Sequence, residues 1–183
     1  MEFCEKTLEA KKVYTGKIIE VRVETVELPN GNKSSREIVS HPGAVAVVPN
    51  NEHGEVILVR QYRKPTNAVI LEVPAGKLEA DESSYACALR ELKEETGLSA
   101  GKMEHLFDFY TTPGFCDEVM HLFLATELIQ GKKQPDSDEL LETIKLPLVD
   151  AISKAMAGEL NDAKTLVGLF AAKKRLNEAG SIL

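Results

Sequence analysis

The sequence is short of the residues on which disulfide-linked, zinc-ribbon and membrane-spanning proteins depend. It contains three cysteines, Cys4, Cys87 and Cys116, and no two of them form a CxxC pair. An odd and widely spaced set excludes a disulfide framework and a thiolate zinc site, and it fits a reducing compartment. The longest apolar run, GAVAVVP at 43–49, is far too short to cross a bilayer.

Positive charge is also scarce. Lysine and arginine number 22 against 29 aspartates and glutamates, so the formal net charge is −7. A protein that binds duplex nucleic acid normally clusters Lys and Arg on one face. The charged start, MEFCEKTLEAKK, lacks the apolar centre of a signal peptide. We therefore expect a soluble cytoplasmic protein that binds neither nucleic acid nor membrane, and that needs metal ions or a few local arginines if its substrate carries phosphate.

Strand and helix periods follow one another irregularly along the 183 residues, a length that suits one domain with a short extra layer. The pattern predicts strands at GAVAVVP, EVILVRQYR and VILEVPAG, a helix at about 82–96, strands at 104–111, 118–128 and 142–146, and two C-terminal helices, the last capped by Asn161. A run of strands before the first helix is not a regular βαβ alternation. We predict an α/β (α+β) fold with helices packed on a mixed sheet.

The N-terminal part has a pattern of its own. Residues 13–28 alternate apolar with charged side chains, which predicts a half-buried strand. The Asn30-Gly31 dipeptide that follows is a hairpin signal, and SREIVS is the expected returning strand. We predict a small antiparallel β segment over residues 1–42, ahead of a main domain over residues 43–183.

The predicted helix at 82–96 crowds acidic side chains. Glu91 and Glu95 are four residues apart and share one face, and Glu94 borders that face. The stripe expected to pack on the sheet consists of Tyr85, Ala88, Leu89 and Leu92. Because like charges at this spacing destabilise a helix, the face is either simply solvated or compensated by a cation. Convergent carboxylates are hard oxygen ligands, which favour Mg²⁺ or Mn²⁺ over zinc.

The residues around this helix match a family motif. They are Gly76, then after five residues Glu82, then after seven residues Arg90-Glu91-Leu92-Lys93-Glu94-Glu95-Thr96-Gly97-Leu98. This pattern resembles the Nudix box at every specified position. The resemblance implies a Nudix-type α/β/α sandwich and the Mg²⁺-dependent hydrolysis of a nucleoside diphosphate linked to another group, in which a metal-activated water attacks a phosphorus.

The resemblance also assigns roles within the box. The metal ligands would be Ala75 (through its backbone carbonyl), Glu91, Glu94 and Glu95. Glu94 could serve instead as a base held next to the metal. Glu82 and Arg90 would lock the preceding loop to the helix.

Segments outside the box resemble the ADP-ribose pyrophosphatase branch of the family. They are SREIVSHPGAVAVVP, VRQYRKPTNAVILEVPAGKLE and FYTTPGFCDEVMHLFLA, the last with Pro113 fifteen residues after the box. By this similarity Arg63 would contact the phosphates of ADP-ribose, and Arg36 with Glu37 would reach the adenine from a dimer partner. The ribose end would be lined by Thr112, Pro113, Gly114 and Glu118. Turn chemistry alone would also select Pro113-Gly114.

The general base of this branch is expected on a mobile acidic loop, here QPDSDELLE at 134–142. The usual glutamate position falls on Ser137. Glu139 is then the best substitute and Asp138 the next, with Glu94 as the remaining candidate.

Two further expectations concern partners and the class of function. The resemblance implies a homodimer with exchanged N-terminal strands, since the apolar face of that segment needs a partner surface.

The histidines show no mutual metal-ligand spacing and are expected in turns or packing: His41, His53, His105 and His121. Besides ADP-ribose hydrolysis, two possibilities stay open. One is a Nudix hydrolase for another nucleoside diphosphate sugar or an oxidised nucleotide, and the other is a sensor that binds ADP-ribose without cleaving it.

Overall fold

The structure is a computed structural model that describes residues 3–132 and 140–180. In these ranges the chain forms ten strands and three helices: β1 (Lys6–Thr15), β2 (Glu20–Glu27), β3 (Lys33–Ser40), β4 (Ala44–Pro49), β5 (Glu55–Arg63), β6 (Ala68–Glu72), β7 (Ala75–Lys77), α1 (Ser84–Thr96), β8 (Leu98–Tyr110), β9 (Val119–Gln130), β10 (Glu142–Pro147), α2 (Leu148–Met156) and α3 (Ala163–Glu178). From β4 onward the predicted order of strands and helices is confirmed, except that the strand predicted at VILEVPAG is divided into β6 and β7.

One compact unit consists of Met1–Gly43 together with Tyr110–Val119. Its sheet is antiparallel in the order β1-β2-β3. The single strand predicted at 13–28 is wrong: β1 ends and β2 begins there, because a turn closed by Gly16 N–H donating to the Ile19 carbonyl (2.9 Å) reverses the chain. The predicted hairpin between β2 and β3 is present, and the structure adds residues 110–119 to this unit.

The other unit consists of Ala44–Phe109 and Met120–Leu183. It contains a mixed sheet, β7-β4-β9-β8, in which β4 runs parallel to β9 and antiparallel to β7. A second sheet, β10-β5-β6, is antiparallel. All six residues of β4 are buried, as expected for a strand with both faces covered.

Two apolar clusters lie on the two faces of β4 and β9. Val47 and Phe123 pack with Leu92 of α1 in one cluster. Val48 and Leu169, from β4 and α3, belong to the other cluster. Helices therefore cover both faces of the mixed sheet, which confirms the predicted α/β/α sandwich.

The helix ends correct two details of the prediction. α1 is capped by Ser83, which accepts from Ala86 N–H, and Glu82 lies before the helix. Gly97 ends α1 in the left-handed conformation (φ 74°). α3 is capped by Asp162 rather than Asn161, since the Asp162 carboxylate accepts from Thr165 N–H.

The apolar stripe of α1 also differs from the prediction. Tyr85 is 50% exposed and Leu89 is only partly buried, whereas Cys87, Ala88 and Leu92 are fully buried. Cys87 is thus a packing residue of α1. Among the described residues, no helix combines the length and apolar character needed to cross a membrane.

Candidate active site

A glycine on β7 makes room for a helix glutamate. A Cβ added to Gly76 would lie 1.8 Å from Glu91 Oε1 and 1.9 Å from its carboxyl carbon. Gly76 does not adopt the left-handed conformation, so this position needs glycine for space rather than for backbone freedom. β7 is held in place by pairing with β4, where Gly76 lies opposite Val45. The Glu91 carboxylate therefore rests directly on the strand backbone.

One arginine organises three of the glutamates. Arg90 makes a bidentate contact with Glu82, at 2.8 Å from both Nε and Nη2. Its Nη1 donates to Glu91 at 2.6 Å and to Glu94 at 3.0 Å, and Nη2 also donates to the Lys77 carbonyl at 3.3 Å. Arg90 thus ties the loop to the helix and offsets part of the repulsion among these carboxylates.

The same contacts shift two pKa values. Hydrogen bonds from Arg90 lower the pKa of Glu82 to about 2 from its usual 4.5. The hydrogen bond to Glu82 raises the pKa of Arg90, with contributions from Glu91 and Glu94 against the opposing effect of burial. Burial raises the pKa of the Cys87 thiol to about 12, reinforced by the charge of Glu82. Cys87 therefore stays a neutral thiol and not a nucleophile.

The depressed pKa of Glu82 predicts an acid-dependent loss of stability. Because its folded-state pKa lies below the unfolded value, the Glu82–Arg90 contact stabilises fully above pH 4.5 and is lost as the pH falls toward 2. Arg90→Gln should lower the free energy of unfolding most at neutral pH, and the gap to the parent should narrow below pH 4.5. Urea unfolding from pH 3 to 7 measures this gap.

A matched control is Lys154→Gln, which removes an ion pair between two largely exposed side chains, Lys154 and Glu159. Exposed pairs contribute at most about 1 kcal/mol, so we expect little change at any pH. If the free energies of unfolding of Arg90→Gln and the parent differ by the same amount at pH 3 and at pH 7, the assignment to Glu82 is contradicted.

Glu95 lies deeper than the other glutamates of α1. It is 2% exposed, and Ala75 N–H donates to its Oε2 at 3.2 Å. The backbone of β7 therefore donates to Glu95 and lies against the carboxylate of Glu91. The carboxylates of Glu91 and Glu95 thus both lie at β7, where Gly76 leaves room for that of Glu91. Carboxylate oxygens are hard ligands, and such a set fits a divalent cation.

A second charged group lies near these carboxylates and was missed in the sequence. Glu72 is 1% exposed, and its carboxylate accepts two hydrogen bonds from the Arg63 guanidinium, at 2.8 and 3.0 Å. The same carboxylate also contacts Lys164. Burial lowers the pKa of Arg63, but the Glu72 contacts and the charges of Glu95 and Asp162 outweigh it and raise that pKa. A lone acidic residue at the end of the apolar strand VILE was the available signal.

The other predicted substrate-binding residues lie in the N-terminal unit. Arg36 on β3 forms an ion pair with Glu5, and Glu37 is exposed. The segment with Thr112, Pro113 and Gly114 is an exposed turn. It is joined to β3 by hydrogen bonds from Val39 N–H to the Phe115 carbonyl (2.7 Å) and from Asp117 N–H to the Val39 carbonyl (3.1 Å).

Glu118 closes the same turn. Its carboxylate accepts from the Thr111 hydroxyl at 2.7 Å and lies 3.4 Å from His41 Nδ1. Within this unit, the structure therefore brings the two predicted groups of substrate-binding residues onto neighbouring segments. The predicted bases Glu139 and Asp138 lie outside the described residues.

Two of the histidines form a cluster that the sequence did not indicate. His105 and His121 converge on Asp108, with ring nitrogens 2.6 and 2.8 Å from its Oδ1. The two histidines are 16 residues apart in the sequence, so no local spacing indicates this cluster. It forms because β8 and β9 are neighbouring strands of the sheet.

Known proteins resemble the chain over most of its length. Residues 40–167 match the family model described as the NUDIX domain, and residues 5–39 match the nucleoside diphosphate sugar hydrolase N-terminal domain. The chain is 49% identical over 163 residues to an ADP-ribose pyrophosphatase of Bacillus subtilis (strain 168), covering 88% of each chain. It is 43% identical over 169 residues to a methanol dehydrogenase activator of Bacillus methanolicus, covering 91% of each. The crystal structure of an ADP compounds hydrolase matches 100% of both chains with a TM-score of 0.88 and 24% identity, which supports the fold.

Proposed function

Because this chain belongs to the Nudix hydrolase family, we propose that it hydrolyses the pyrophosphate bond of ADP-ribose to AMP and ribose 5-phosphate. The observation that carries the proposal is the arrangement of Glu91, Glu94 and Glu95 around Arg90 and the β7 backbone. The choice of ADP-ribose is supported by the 49% identical Bacillus subtilis relative.

Nudix hydrolases generally need a divalent metal ion, and here we propose Mg²⁺, with Mn²⁺ as a substitute. The oxygen-only donor set supports this choice, since imidazole and thiolate ligands favour other metals. The residues that would hold the ion are Glu91, Glu94, Glu95 and the Ala75 carbonyl. When bound, a divalent ion neutralises charge on the pyrophosphate oxygens and makes a water molecule more acidic.

The residues of this chain orient that site. Arg90 holds Glu91 and Glu94 from one side and Glu82 from the other, so the carboxylates need not rearrange when an ion arrives. Gly76 lets the Glu91 carboxylate lie against β7. Such supporting contacts typically change metal affinity or activity by about 10- to 100-fold when they are removed.

The general base is the least constrained assignment, with Glu139, Asp138 and Glu94 as candidates. Arg90 Nη1 donates to the Glu94 carboxylate at 3.0 Å, a contact that suits a structural role better than proton transfer. We therefore assign proton abstraction to Glu139. Glu139→Gln should lower kcat about 100-fold, whereas an unchanged kcat together with a large loss in Glu94→Gln would transfer the role to Glu94.

Substrate contacts are proposed for three sets of residues. Arg63 would bind the phosphates, and Arg36 with Glu37 would contact the adenine from a dimer partner. The ribose end would be bound by Thr112, Pro113, Gly114 and Glu118. Arg63 is already held by buried Glu72, so its guanidinium is oriented before any substrate binds. Arg63→Lys, which loses the bidentate geometry, should raise KM for ADP-ribose; an unchanged KM would remove Arg63 from the substrate site.

A homodimer with exchanged N-terminal strands is also proposed, acting in the cytoplasm. All ten residues of β1 are exposed, including the apolar side chains of Leu8, Val13 and Tyr14. Apolar exposure along an edge strand favours pairing with another surface. Sedimentation should give the mass of a dimer, and Val13→Glu should shift it toward the monomer. A monomer in the parent protein would reject the dimer.

The function is tested by release of phosphate in the presence of an added phosphatase. ADP-ribose contains no terminal phosphate, so phosphate appears only after cleavage to AMP and ribose 5-phosphate. We expect Mg²⁺-dependent turnover of ADP-ribose that exceeds the turnover of ADP-glucose and GDP-mannose. Cleavage of dGTP is measured by chromatography instead, because dGTP already carries a terminal phosphate. Faster turnover of another substrate would redefine the substrate. Saturable ADP-ribose binding without turnover of any substrate would identify a sensor.

A further inference from the structure

Three side chains outside the carboxylate site converge on one point at the paired strands β8 and β9. His105 Nε2 lies 2.6 Å and His121 Nδ1 lies 2.8 Å from Asp108 Oδ1, and the three ligand atoms lie within 4.8 Å of one another. Both rings approach the same carboxylate oxygen rather than one oxygen each. Three donor atoms this close together can all reach one metal ion after a small movement.

We propose that His105, Asp108 and His121 bind a divalent transition-metal ion, with Zn²⁺ as the best fit, at a site separate from the glutamates of α1. Two imidazole nitrogens and one carboxylate oxygen are a donor set that suits zinc and its neighbours. Mg²⁺ prefers oxygen ligands alone and would not compete well here. Three protein ligands leave further coordination positions open to water.

The geometry needs only a small adjustment to accept the ion. Ligand bonds of about 2.0–2.2 Å in a tetrahedral arrangement place neighbouring donor atoms about 3.4 Å apart. The present 2.6 and 2.8 Å contacts must therefore open by roughly 0.6 to 0.8 Å. Each ring would carry its proton on the nitrogen that faces away from Asp108. The Asp108 side chain is 46% exposed, which leaves room for its carboxylate to move away from the two rings.

The surroundings fix the position of the cluster. The His105 ring packs edge-on against buried Phe123, with ring centroids 5.2 Å apart. His121 precedes Phe123 by two residues on β9, so the two share one face of that strand. In the sheet His121 pairs with Val45, which in turn pairs with Gly76. Two strand spacings, about 10 Å, therefore separate the backbone of this cluster from the backbone beneath Glu91.

The test measures metal binding without turnover, so its outcome is independent of the proposed function. The background is the full chain with Glu91→Gln and Glu95→Gln, to disable the carboxylate site, and Cys4→Ser, to remove the exposed thiol. We expect one equivalent of Co²⁺ to bind with a visible absorption band, Zn²⁺ to displace it, and millimolar Mg²⁺ to leave it in place.

Substitutions test whether the bound Co²⁺ is held by the three proposed ligands. Asp108→Asn and His121→Ala should each weaken Co²⁺ binding at least tenfold. His53→Ala is the matched control, because His53 also lies beside a carboxylate, 3.4 Å from Glu52, but has no second imidazole partner. Asp108→Asn is nearly isosteric and exposed, so the test remains decisive if His121→Ala fails to fold. No saturable Co²⁺ uptake, or uptake that is unchanged in Asp108→Asn, would overturn the proposal and leave Asp108 as a hydrogen-bond acceptor.

Discussion

Glu91→Gln and Glu95→Gln are each expected to lower kcat for ADP-ribose by about 1000-fold. A metal ion stabilises transition-state charge by several kcal/mol, and each 1.36 kcal/mol corresponds to a factor of ten in rate. Glutamine keeps an oxygen that can accept from Arg90 or from Ala75 N–H, so the folded structure should persist while the charge is lost. The measurements are kcat at saturating ADP-ribose and calorimetric uptake of Mg²⁺ or Mn²⁺.

The double variant sharpens this result. If Glu91 and Glu95 hold the same ion, the combined loss should be far smaller than the product of the single losses, because residues that act as a unit are not additive. Glu178→Gln, on the exposed surface of α3 and 4.0 Å from Lys174, is the matched control and should retain full kcat. Identical heats of metal binding in the parent and the double variant would refute a metal role for both glutamates.

Gly76→Ala is expected to lower kcat by about 100-fold or more while leaving the melting temperature nearly unchanged. The new Cβ would require the Glu91 carboxylate to retreat by about 1.6 Å to reach an ordinary 3.4 Å contact. Displacement of a reacting group by about 1 Å costs about 100-fold in rate. Stability should change little, because the atoms that must move are the end of a flexible side chain and the backbone conformation suits alanine.

Two comparisons make this prediction specific. Gly101→Ala, on β8, places a Cβ 2.9 Å from the Cβ of Glu127 and so should affect stability but not kcat. In the double variant Gly76→Ala with Glu91→Asp, the shorter side chain withdraws the carboxylate by about one methylene. The double variant should therefore be less impaired than the product of the two single effects. Full activity in Gly76→Ala would mean that the position of Glu91 is not critical.

The carboxylate face of α1 was predictable because it depends on spacing within a single helix. Residues three and four apart lie on the same face whatever the rest of the chain does. The stop at Gly97 follows equally from local conformation. The apolar stripe was less predictable: Tyr85 is exposed and Cys87 is buried because the packing of α1 against the sheet, and not the helix period alone, sets which side is covered.

The charged contacts around this helix depended on residues distant in sequence. Lys164 meets Glu72 across 92 residues, and the pair Arg63–Glu72 forms only because β5 and β6 are adjacent antiparallel strands. The contact between His121 and Asp108 has the same origin, because it forms only when β8 and β9 lie side by side. No single-sequence period contains this information.

By itself, the sequence determined the family motif, the order of strands and helices, and the side of α1 on which the carboxylates lie, since each depends on residues a few positions apart. The tertiary structure decided how Gly76 supports Glu91, how Glu72 holds Arg63 and how two histidines meet Asp108. Those contacts depend on strand pairing and side-chain packing between distant segments, which are determined only when the whole core is assembled.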